Sequence, residues 1–178
     1  MNGKKTSTVM ALALSKAGVN ETKNTFVKVA DVRIAVPTSW NHGTVISEFS
    51  KEFRSQAFKV DKEVTDSLIS TQGFIPGRRY RLRLFSHNSA SMASCLEFLE
   101  SQGALLVGAH GLVAAAMLKP YELIIKTGKE VFSLAELKVL PVYEDGTPMV
   151  PIMTRGFFGL VPIDAISSEH LLLCVTLW

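Results

Sequence analysis

The sequence predicts an α+β fold: one compact domain, 1–178, with a mixed sheet, one βαβ crossover at about residues 78–108 and a β-rich C-terminal third. Three observations carry this expectation. A strand–helix–strand pattern occupies the middle of the chain, helical periodicity is concentrated before residue 120, and short alternating or apolar runs punctuated by turn residues follow it.

In chain order, residues 1–24 read as an N-terminal helix and a polar connector. The helix starts near Thr6 or Ser7 and stops at Gly18. Its lysines and the apolar run 9–14 imitate a secretory signal, but the run is short for that purpose. Residues 26–119 form the helix-rich part. Residues 26–36 alternate as a strand, with a break near Ala30 that a bulge would explain. Residues 44–57 place Ile46, Phe49 and Phe53 on one helical stripe, with Thr44 as N-cap. A second helical pattern covers 61–71, with Val64 and Leu68 inward.

The central unit spans residues 78–111. Arg79, Arg81, Arg83 and Phe85 alternate with Tyr80, Leu82 and Leu84, the period of a strand with one buried face. Met92, Cys95, Leu96 and Leu99 then recur at helical spacing, Gly103 closes the helix, and residues 104–107 are an apolar run. Residues 108–119 read as a buried helix that Pro120 stops. In the β-rich part, 121–178, strands are expected at 121–125, 130–134, 138–143 and 170–178, with Glu144, Asp145, Gly146 and Thr147 as a hairpin turn. Pro148, Pro151 and Pro162 assign their segments to edges, turns or bulges.

Composition bounds the function. Apolar and aromatic residues make up 47% of the chain and charged residues 20%, a balance that fits a deeply buried sheet or surface buried in an assembly. The longest apolar run is too short to span a bilayer, so no membrane insertion is expected. Cys95 and Cys174 are too few for a disulfide framework and fit buried thiols in a reducing, cytoplasmic setting. Residues 1–89 carry 14 Lys/Arg against 7 Asp/Glu, and residues 90–178 carry 5 against 9. This asymmetry steers an anionic partner to one end, or lets copies associate head to tail.

Two residue sets are candidates. Arg79, Arg81, Arg83 and Phe85 form an anion- or nucleic-acid-binding row, because alternate strand residues lie about 6.6 to 7 Å apart, a spacing comparable to successive phosphates. Arg155, Phe157, Phe158 and Trp178 form an interface set, since arginine and aromatics anchor interfaces. No spacing among His42, His87, His110 and His170 points to a metal, and no cofactor loop is present: GAHG at 108–111 lacks the dinucleotide and P-loop patterns.

The leading expectation is therefore a non-enzymatic interaction or assembly subunit. It self-associates as a homo-oligomer, or docks on a protein partner, through its apolar C-terminal segments. The alternatives are a nucleic-acid or polyanion binding module using the arginine strand, and a small hydrolase or transferase around His87 and His110. The last requires both rings in one pocket.

Overall fold

The computed structural model describes residues 25–53, 58–68, 72–136, 140–142 and 145–178. The N-terminal helix expected over residues 6–18 lies outside them. Among the described residues, seven strands form one mixed sheet: β1 (Phe26–Ala35), β2 (Lys59–Val60), β3 (Arg79–His87), β4 (Val131–Phe132), β5 (Met149–Met153), β6 (Phe157–Pro162) and β7 (Leu171–Leu177), in the order β1-β3-β7-β4-β5-β6-β2. The contacts β7–β4 and β6–β2 are parallel and the other four antiparallel. The α-helices among the described residues are α1 (Val45–Phe53), α2 (Met92–Ser101) and α3 (Gly108–Leu118), the last followed by a π-helical turn at Tyr121–Ile125. The α+β class and the mixed sheet are as the sequence indicates.

Alternation along the strands builds two cores, one on each face. Tyr80, Leu82 and Leu84 of β3 and Leu171, Leu173 and Val175 of β7 face α1 and α3. Phe85, Leu172 and Cys174 face the other way, against Cys95 and Leu99 of α2. The apolar C-terminal run is thus an inner strand, and residues 171–175 are all buried. α3 is buried from Gly108 to Ala116, which its Gly and Ala content permits. Gly108 has φ +51°, and a Cβ there would lie 2.9 Å from that of Ala135, so both backbone conformation and close approach require glycine.

Several elements differ from expectation. The crossover keeps its strand–helix order, but its second strand reduces to one antiparallel bridge, Leu105–Val175. Gly103 and Gly108, both with positive φ, bracket only four residues there, and the Leu106 amide donates to Gln72 Oε1 instead of a ladder. Described residues 61–68 form turns, not a helix, because residues 59–60 are held in β2 against β6. Asp66 in those turns accepts from the Ile46 and Ser47 amides at 3.1 and 3.2 Å, so the cap of α1 comes from a distant carboxylate. Thr44, the expected cap, donates to Glu48 instead.

Residues 121–125 are a π turn where a strand was expected. Pro120 ends α3 yet has helical φ and ψ itself and starts the new turn, which buries Leu123 and Ile124. Pro151 lies inside the sheet, in β5. Its carbonyl accepts from Ser133 on the β4 side, so its missing donor faces that side, where the two-residue β4 ladder stops. The Asp145 turn is closed by the Val142–Pro148 bridge, with Gly146 at φ +85° and Asp145 accepting from the Thr147 amide.

Candidate anion-binding face

β1, β3 and β7 lie side by side, and their register decides which charges meet. Arg81 is opposite Arg33 on β1 and Thr176 on β7; Arg83 is opposite Asp31 and Cys174. The register shift between Lys28 and Ala30 matters here. Lys28 and Arg33 have opposite parity in sequence, and the extra residue brings both to the face that carries Asp31, Arg79, Arg81 and Arg83. These three strands therefore present five Lys/Arg side chains on one face, with Asp31 their one carboxylate.

α2 covers one end of this face. Phe85 is buried there with its ring edge-on to Phe98 at 4.8 Å, so it is not offered to a ligand as the sequence suggested. Arg83 is half-buried, with Nη1 donating to Gln102 Oε1 at 3.0 Å and Nη2 to Cys174 Sγ at 3.5 Å. The other end is open: Lys28, Arg33, Arg79 and Trp178 are all exposed. The Arg33 and Arg79 guanidinium carbons lie 4.5 and 5.1 Å from the Trp178 ring centroid, and the Trp178 amide donates to the Arg79 carbonyl. Arg81 grips Asp31 through two hydrogen bonds, Nε–Oδ1 at 2.7 Å and Nη2–Oδ2 at 2.5 Å, with Lys28 Nζ 3.0 Å from the same Oδ2. The hydrogen bond from Arg81 pulls the Asp31 carboxyl down to about 2.

Of the predicted row, Arg79 remains available, whereas Arg81 is held by Asp31 and Arg83 in part by Gln102 and Cys174. The sequence reading missed Arg33, which only the β1–β3 register brings in, and placed Trp178 in the other set. The bulge near Ala30 was the one local signal.

The interface set is not one surface. Arg155 is exposed in the β5–β6 turn, Phe157 is half-buried on the α2 face, and Phe158 is fully buried on the opposite face. Trp178 belongs with the arginines.

His87 and His110 lie on opposite faces of the sheet and share no pocket, contrary to the requirement of the hydrolase reading. His87, at the end of β3, is buried beside Phe132, with Nδ1 accepting from the Ala90 amide at 3.2 Å, and burial lowers its pKa. His110 opens α3 and stacks on His42 with ring centroids 3.7 Å apart. Its Nε2 donates to the His42 carbonyl at 2.8 Å, and burial lowers its pKa to about 4. Burial pushes the Cys95 thiol up to about 12, which keeps it protonated and unreactive. Among the described residues no group of three or more His, Cys, Asp or Glu is placed to hold a metal, and no helix is long and apolar enough to cross a membrane.

No family model, no curated protein and no solved structure matches this chain.

Proposed function

We propose that this chain is a non-enzymatic binding module that holds a single-stranded nucleic acid on the open end of the β1–β3–β7 face. The observation that carries the reading is the exposed cluster of Arg33, Arg79 and Trp178 beside Arg81, on strands with five bases and one acid. Guanidinium groups suit phosphates, and an exposed indole offers a face on which a base stacks whatever its sequence. A sheet surface is open enough for an extended strand with its bases turned inward. Association through the apolar C-terminal segments has less to draw on, because residues 149–153, Phe158 and 171–175 are already buried within the chain.

Titration with a short oligo(dT) tests this, read by tryptophan fluorescence. Trp178 is exposed and Trp40 buried, so quenching reports on the open face. Binding is expected to weaken steeply with salt. The Arg33→Ala/Arg79→Ala variant should bind about tenfold more weakly, with its salt slope reduced by about 1.4. Affinity unchanged in that variant contradicts the proposal.

A further inference from the structure

On the opposite face of the sheet, a recess of about 170 Å³ opens between α1, the end of α3, the π turn and the β5–β6 turn. One wall is aromatic: Phe49 stacks on Phe53 with centroids 4.4 Å apart and meets Phe58 edge-on at 5.6 Å. Met153 and Ile125 line it further, and Arg155 stands at the rim. Among the described residues, no acidic side chain lines the recess. Arg155 is exposed and makes no ion pair, hydrogen bond or ring contact with any described residue. Its charge is therefore uncommitted, beside an apolar hollow.

The two features select the same kind of guest. A volume of roughly 150 Å³ against aliphatic and aromatic side chains is enough for a single benzene ring. A guanidinium at its mouth favours a planar carboxylate, which it engages through two parallel hydrogen bonds. We propose that this recess is a binding site for a small aromatic carboxylate, with the ring against Phe49, Phe53 and Phe58 and the carboxylate on Arg155. The site is independent of the arginine face and does not rest on the nucleic-acid reading.

The probe is benzoate, with benzyl alcohol as its uncharged counterpart, titrated into the full chain at neutral pH and followed by ligand-observed NMR. Benzoate should bind in the millimolar range expected for so small a ligand, about tenfold more tightly than benzyl alcohol. Arg155→Gln, an exposed substitution that leaves the fold intact, should bring the two to parity. Ala116→Leu, which fills the hollow from α3, should abolish both, with circular dichroism and thermal melting confirming that it folds. Equal binding of the two probes to the wild type, binding of neither, or benzoate affinity unaltered by Arg155→Gln overturns the proposal.

Discussion

Phe158→Ala is expected to lower the free energy of unfolding by about 3–5 kcal/mol, the range for truncating a fully buried phenylalanine. The sequence suggested Phe158 as an interface anchor, but its side chain is 0% exposed and its ring meets that of Phe49 edge-on at 5.8 Å. It also occupies the β6 position between Val60 and Met153, so the cavity would open where two ladders meet. Urea unfolding at low and high protein concentration separates the two roles. The packing role predicts a lowered midpoint that does not depend on concentration. Arg155→Gln, three residues away and exposed, should change stability by no more than about 0.5 kcal/mol. A Phe158→Ala protein of unchanged monomer stability and altered self-association contradicts this assignment.

Acidification from neutral pH to pH 4 should cost on the order of 3 kcal/mol through His110 alone. The ring lies at the start of a buried helix, stacked on His42. Burial dominates its depressed pKa, the neighbouring His42 adds to the depression, and Asp66 opposes it. A histidine whose folded pKa lies below its ordinary 6.5 binds fewer protons folded than unfolded. Its contribution is therefore intact above pH 6.5 and is lost as pH falls towards 4. His87, also depressed by burial, acts in the same direction. The Asp31–Arg81 pair is lost lower, between the ordinary carboxylate value of 3.8 and about 2. His110→Gln keeps a donor for the His42 carbonyl but cannot titrate, so its stability should depend less steeply on pH between 6.5 and 4. Parallel pH profiles of variant and wild type, from chemical unfolding, would show that His110 carries no such penalty.

What the sequence revealed follows from how local each determinant is. The alternation of β3 and the apolar run of β7 are period-2 signals within one segment, and both strands form as read. The small-residue run of α3 likewise contains its own reason for burial. Elements set by a remote partner were not legible. Residues 61–68 have helical spacing but serve β2 and the Asp66 cap of α1, neither of which shows locally. Residues 121–125 have strand composition, but Pro120 restarts the chain in a helical turn.

The candidate site divides in the same way. The arginine row was readable because it lies on one strand. Its useful end was not, because Arg33 arrives through the β1–β3 register, and Phe85 and Arg83 are taken up by α2 packing and by Gln102 and Cys174. Five charges on one face became visible only once the bulge in β1 was placed.

The most direct test of the nucleic-acid reading is backbone amide chemical-shift mapping of the full chain during titration with oligo(dT) at low salt. The largest shifts are expected on residues 28–35 of β1, 79–83 of β3 and 176–178 at the end of β7, and they should vanish as salt is raised. Shifts centred elsewhere, or none at saturating oligonucleotide, would contradict it.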